Sequence, residues 1–292
     1  MTISSTYTLI NPQTKALAFK IFCFDNGENF ACLQRLNYYS VLVVQKGSGL
    51  LKADFSDYPF AGHSLLCFSP YQPFMLEEKE PLAGIALHFH PDFFCIHKHQ
   101  KEVACNGVLF NNIYRPPLFT LTDAESESLL LVVKQMKAEL RSGGLAQYEL
   151  LVSYLKIFLI MASRIKGQQH PVVQEALAGQ KEPFLLQKLK DAIEEHYRSK
   201  HTASDYAALL HISPKALAKA ARAHFNKTLT NLISERIIIE AKRELYLTSK
   251  PVKEIAYNLG FQDEYYFSRF FKTNADVSPQ TYRQTVGFAR GV

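Results

Sequence analysis

Apolar residues recur along this chain with two different periods. Up to about residue 118 they come in short runs, some continuous and some alternating: Ala16–Phe24, Tyr39–Gln45, Ser64–Ser69 and Gly84–His90. Turn-forming clusters separate them, at Asp25-Asn26-Gly27, Lys46-Gly47-Ser48-Gly49, Ala61-Gly62 and Glu80-Pro81. Runs of this length between such breakers predict strands at the spacing of a sandwich or small barrel. After residue 122 the period lengthens to that of a helix. Thr122-Asp123-Ala124-Glu125 reads as a capping box, and Leu129, Leu130, Val132, Val133, Met136 and Leu140 follow it. Ser142-Gly143-Gly144 splits this helix from a second one, which is apolar on nearly every face: Leu150, Leu151, Tyr154, Leu155, Ile157, Phe158, Leu159 and Ile160. A helix that apolar is buried on several sides. One side is expected to cover the strands, and another to pair with its twin across a two-fold axis. Gly167–Pro183 is polar, with two Pro and two Gly, and reads as a linker.

The remaining residues carry two copies of one grammar. In the downstream copy, Val252, Ile255, Ala256 and Leu259 form the apolar stripe of a short helix. Gly260 ends that helix, Phe261 is expected to plug the corner, and Asp263 to cap the next helix. The second helix buries Phe267, Phe270 and Phe271 and turns Glu264, Tyr265, Ser268 and Arg269 outward, with Lys272 near its end. Arg can bond a guanine edge bidentately, and a Lys near the helix end suits a phosphate. In the upstream copy, Tyr206, Leu209 and Leu210 anchor the first helix and His211-Ile212-Ser213 forms the turn. Ser213 caps and Pro214 starts the second helix. Leu217, Ala220, Ala221 and Phe225 supply its buried face; Lys215, Ala218, Lys219 and Arg222 face outward; Asn226 stops it. Between the copies, Thr230–Leu247 keeps helical spacing through Leu232, Ile233, Ile237, Ala241 and Leu245. At 1.5 Å per residue it predicts a rod of roughly 27 Å, able to hold two reading helices about one DNA turn apart.

The stretch Leu186–Arg283 resembles the DNA-binding domain of the AraC/XylS transcription regulators. The resemblance lies in Ser213-Pro214, Leu217, Arg236, Ala241, Leu245, Ile255-Ala256, Gly260-Phe261, Phe267, Arg269, Phe271-Lys272, Ser278-Pro279 and Tyr282-Arg283. It implies a seven-helix domain of two helix-turn-helix units joined by the long helix. It also implies contacts to double-stranded promoter DNA from Lys215, Ala218, Lys219, Arg222, Glu264, Tyr265, Ser268, Arg269 and Lys272. The chain departs from the family at Ala216 and Ala221, where an aromatic is usual, and at Asn226 and Asp276, where Gly is usual. The first reading helix is therefore expected to grip phosphates more than it discriminates bases. The run Val43–Leu76 is similar to the cupin-type sensor domain of the same family.

The expected class is α+β: an N-terminal cupin-like β-barrel with a two-helix dimerisation element, then an all-α domain. The expected boundaries are 1–166 (barrel 1–118, helices 122–166), linker 167–183, and 184–292 for the DNA-binding domain. Charge fits this division. The net charge is +6, and residues 171–292 hold 18 Lys and Arg against 13 Asp and Glu, so the excess lies with the reading helices. No run approaches a membrane span, and the start lacks the regions of a signal peptide. Five scattered Cys (Cys23, Cys32, Cys67, Cys95, Cys105) fit reduced thiols in a cytoplasmic protein. His88, His90, His97 and His99 do not match the ligand spacing of a catalytic cupin, so no metal and no cofactor is expected. The candidates for lining an effector pocket are Tyr39, Cys67 and His88. These readings lead to a DNA-binding transcription factor that answers to a small-molecule effector and works as a homodimer, with RNA polymerase as a further partner. The competing readings are a metal-dependent cupin-type enzyme with a helical appendage and a helical protein-binding adaptor.

Overall fold

The structure is a computed structural model and describes residues 6–53, 56–96, 108–169 and 184–286. The chain packs as two units: Met1–Asn112 with Pro116–Gln169, and Ile113–Arg115 with His170–Val292. His97, His99, Cys105 and linker residues 170–183 lie outside the described residues.

The N-terminal unit is one antiparallel sheet of seven strands: β1 (Thr6–Ile10), β2 (Leu17–Phe24), β3 (Tyr39–Ala53), β4 (Ser56–Ala61), β5 (Ser64–Phe68), β6 (Phe74–Phe89) and β7 (Leu118–Thr120). The strands run in the order β1-β2-β6-β3-β5-β7, with β4 paired to β3. Among the described residues β1 and β7 are edges, so the sheet is not the closed barrel expected from the spacing of the strands. Two of the expected breakers fall inside strands: Lys46–Gly49 within β3, and Glu80-Pro81 within β6. They face each other across the β3–β6 ladder, where the register shifts between Val44 and Lys46, Lys46 and Ser48, and Ser48 and Gly49. Gly47 has φ +88°, and a Cβ there would meet Pro81 O at 2.3 Å. The irregularity bends both long strands without ending them.

The sheet carries two cores. On one face Phe22, Leu42, Leu51, Phe68, Phe74 and Leu76 pack on themselves. On the other, Phe19, Ile21, Tyr39, Val41, Cys67 and Leu87 pack against two helices, α1 (Asp123–Ser142) and α2 (Gln147–Gln169). Thr122 and Glu125 make the expected capping box, and Gly143 ends α1 at φ 60°. Helix α2 continues past Lys166 to Gln169, whose Nε2 donates to the Thr120 backbone oxygen at 2.5 Å. It buries Leu151, Leu155, Phe158 and Leu159 and leaves Leu150 and Ile157 exposed. Among the described residues no helix is long and apolar enough to cross a membrane.

The C-terminal unit is helical: α3 (Phe184–His196), α4 (Ala203–Leu209), α5 (Pro214–Phe225), α6 (Leu229–Leu247), α7 (Val252–Asn258), α8 (Glu264–Ala275) and α9 (Pro279–Val286). Helix α6 is the expected rod, and Leu232, Ile233, Ile237, Ala241 and Leu245 are all buried. It packs against every other helix of the unit.

Candidate nucleic-acid interface

The two helix pairs α4–α5 and α7–α8 are built by short-range chemistry. Ser213 Oγ accepts from the Ala216 amide at 3.3 Å, Pro214 opens α5, and Asn226 closes it at φ 55°. In the second pair the tight turn belongs to Gly260, at φ +82°; a Cβ there would meet Arg198 O at 2.0 Å. Phe261 fills the corner, its ring 5.2 Å from Phe267 and 5.1 Å from Phe270. Asp263 accepts from the amides of Tyr265 and Tyr266, and Asp276 closes α8 at φ 60°. Asn226 and Asp276 thus hold the left-handed caps where the family usually has Gly. Leu209 and Leu210 are not buried anchors, as expected, but lie exposed and half-exposed, since Tyr206 and Ala207 alone fill the inner face of the short α4. Ala220 and Phe270 are half-buried.

Each second helix presents one exposed face. On α5 it centres on Lys219: the neighbours one turn away, at i±3 and i±4, are Lys215, Ala216, Arg222 and Ala223, all exposed, as is Ala218. On α8 it centres on Arg269, whose corresponding neighbours are Tyr265, Tyr266, Lys272 and Thr273, again all exposed. Glu264 and Ser268, expected on this face, sit half-buried at its margin. Tyr266 and Thr273 were not singled out in the sequence, although the same i±4 counting from Arg269 finds them.

Several carboxylates of the unit are engaged away from these faces. Glu240 is buried on α6 and accepts from Arg198 at 3.0 Å, Arg243 at 2.9 Å and Arg236 at 3.4 Å. Burial pushes its carboxyl up, but Arg243, Arg236 and Arg198 together outweigh burial and hold it below the usual range. Glu235 pairs with Lys227, Glu244 with Lys250, and Asp205 closes the cap of α4. Among the described residues no ion pair engages Lys215, Lys219, Arg222, Arg269 or Lys272. Glu235, Glu240 and Glu244 are thus engaged inside the unit, and the cations of both exposed faces remain open to an anionic partner. The capping carboxylate of Asp263 occupies the start of α8, and Lys272 lies in its last turn.

A family model described as a helix-turn-helix domain matches residues 206–285, which span both helix pairs. The C-terminal unit is an AraC-type helix-turn-helix domain. Among curated proteins, the chain is similar to the uncharacterized HTH-type transcriptional regulator YijO of Escherichia coli K12, at 31% identity over 43% of this chain and 44% of YijO. The chain thus spans under half of that relative. A longer alignment, 21% identical, joins 85% of this chain to 86% of the HTH-type transcriptional activator RhaS of Citrobacter koseri. Among solved structures, ToxT of Vibrio cholerae O395 aligns over 99% of this chain and 98% of its own, at 16% identity and a TM-score of 0.41.

The three candidate pocket residues are not brought together. Tyr39 and Cys67 lie on the sheet face packed against α1 and α2. His88 lies on the opposite face, beside Phe22, with its Nδ1 2.9 Å from Ser40 Oγ. Burial, then the nearby Lys20 ammonium, lowers the His88 pKa to about 4, so the ring is neutral at physiological pH. His90 turns toward Asp92 at 3.5 Å. Among the described residues no group of three or more His, Cys, Asp or Glu is placed to hold a metal.

Proposed function

We propose that this protein is a sequence-specific DNA-binding transcription regulator whose AraC-type domain reads promoter DNA with α5 and α8. One observation supports it most: two capped helices, each the second of a helix-turn-helix, expose faces centred on Lys219 and Arg269 that no carboxylate of the described residues neutralises. Phosphate binding needs such cations, and base reading needs an Arg set among short polar or aromatic groups. The contacts proposed are Lys215, Ala218, Lys219 and Arg222 from α5, and Tyr265, Ser268, Arg269 and Lys272 from α8, with Glu264 at the margin. The N-terminal sheet is proposed as a cupin-type sensor of a small-molecule effector. Helix α2, with Leu150 and Ile157 exposed, is proposed as the pairing surface of a homodimer in the cytoplasm. RNA polymerase is the further partner such a regulator would engage.

The test is a selection of fragments bound by the full chain from genomic DNA, followed by affinity measurements. A selected fragment should bind far more tightly than its scrambled counterpart, and binding should weaken steeply as salt rises. Equal affinity for the two sequences would remove the base-reading role.

A further inference from the structure

The C-terminal unit is discontinuous in sequence. It takes in Ile113–Arg115, a strap far upstream of α3, and the strap is anchored at the end of a reading helix. Tyr114 Oη donates to Glu194 Oε1 of α3 at 2.9 Å. The other Glu194 oxygen accepts from Arg236 Nε of α6 at 2.7 Å. The Tyr114 ring lies 5.8 Å from Phe225, the last residue of α5, and the Lys190 ammonium stands 5.6 Å from both ring centroids. Two residues beyond Phe225, Lys227 is 1% exposed. Its Nζ donates to the backbone oxygen of Ile113 at 3.4 Å and to Glu235 at 2.8 Å. A buried ammonium is tolerated only with partners in place, and the strap supplies one of them. Between these two anchor points Asn226 turns the chain left-handed out of α5. Both sides of that helix end are therefore held by Ile113 and Tyr114, which lie outside the helix-turn-helix motif.

We propose that Ile113–Arg115 is a positioning element that seats the C-terminal end of α5, and so sets how the Lys215–Lys219–Arg222 stripe meets DNA. The proposal rests on the DNA-binding reading above. Asn112 and Pro116, to which the strap is peptide-bonded, belong to the N-terminal unit. Tyr114 touches no base or phosphate in this scheme and acts only through Phe225 and Glu194.

The experiment is a salt titration of full-chain binding to a selected fragment. Tyr114→Ala is compared with Tyr114→Phe, with the triple variant Lys215→Ala, Lys219→Ala, Arg222→Ala, and with all four changes together. Unseating α5 should make the log-affinity against log-salt slope of Tyr114→Ala shallower, by up to about 2.7 if all three phosphate contacts are lost. Tyr114→Phe keeps the ring and should retain most of the wild-type slope. Adding Tyr114→Ala to the triple variant should change nothing further, and discrimination against the scrambled fragment should persist in every variant. An unchanged slope for Tyr114→Ala, or a loss that adds in full to that of the triple variant, overturns the proposal. If thermal melting shows Tyr114→Ala to be unfolded, Glu194→Ala takes its place with the same expectation and the same refuting result. Loss of salt dependence in the wild type would instead sink the DNA-binding reading and the strap with it. A normal wild-type slope that Tyr114→Ala leaves alone sinks the strap only.

Discussion

Helices α5 and α8 share one architecture and differ in chemistry. Both follow a one-turn connection, both are capped by a side-chain oxygen, and both end on a left-handed Asn or Asp. Around Lys219, the surface of α5 offers two further cations and small Ala side chains. A face of ammonium, guanidinium and methyl groups neutralises phosphates readily, and for a base edge it offers the fork of Arg222 but no amide or hydroxyl beside it. Around Arg269, the surface of α8 offers two Tyr, a Thr and a Lys. That face has the planar fork for guanine and hydroxyls that both donate and accept. Under the proposed function, the α5 copy would supply mainly grip and the α8 copy mainly sequence.

The packing beneath the two faces differs in the same direction, and the largest expected effect lies there. Phe261 is buried among the rings of Phe267, Phe270 and Tyr266, whereas the corner of α4–α5 has no such aromatic plug. Phe261→Ala should cost about 3–5 kcal/mol of stability, read by thermal or denaturant unfolding. A cost below 1 kcal/mol would show that the aromatic corner does not hold α8. Next in size, Arg269→Ala should weaken binding to the selected fragment by about 1–3 kcal/mol and leave binding to scrambled DNA nearly unchanged. Lys219→Ala should do the reverse. It should weaken both sequences alike and reduce the salt slope by about 0.9, measured in the same titration. If the two variants behaved identically, the division of work would be wrong. The smallest effect belongs to what the copies share. Glu240 on α6 is held below its usual range, so the unfolded chain takes up a proton first as pH falls. Its stabilising contribution is present above the ordinary carboxylate pKa and is lost as pH drops through the depressed value. Melting temperature should therefore fall on acidification below the ordinary carboxylate range, and Glu240→Gln should flatten that fall.

The helical half was legible because its determinants are local. Caps at Ser213, Asp263, Asn226 and Asp276, and the stripes Val252–Leu259 and Leu232–Leu245, depend on neighbours within a turn or two. The sheet was less legible because its determinants are remote. Gly47 and Pro81 read as breakers, yet each is accommodated by the other across a ladder that joins residues over thirty positions apart. The side of the sheet to which Tyr39 and Cys67 turn, away from His88, likewise follows from which face α1 and α2 cover. On α8 the distinction between Glu264 and Tyr266 needed only the helical period centred on Arg269. The strap at Ile113–Arg115 left no periodic or capping signal, since its partners Glu194, Phe225 and Lys227 are distant in the chain.

The most direct test replaces each base pair of a selected fragment in turn and measures the affinity of the full chain for every replacement. The account predicts that sensitivity concentrates in the half-site whose readout disappears with Arg269→Ala, at about 1–3 kcal/mol per critical position, while the other half-site tolerates replacement. Equal sensitivity in both halves, or greater sensitivity in the half that depends on Lys215, Lys219 and Arg222, would contradict it.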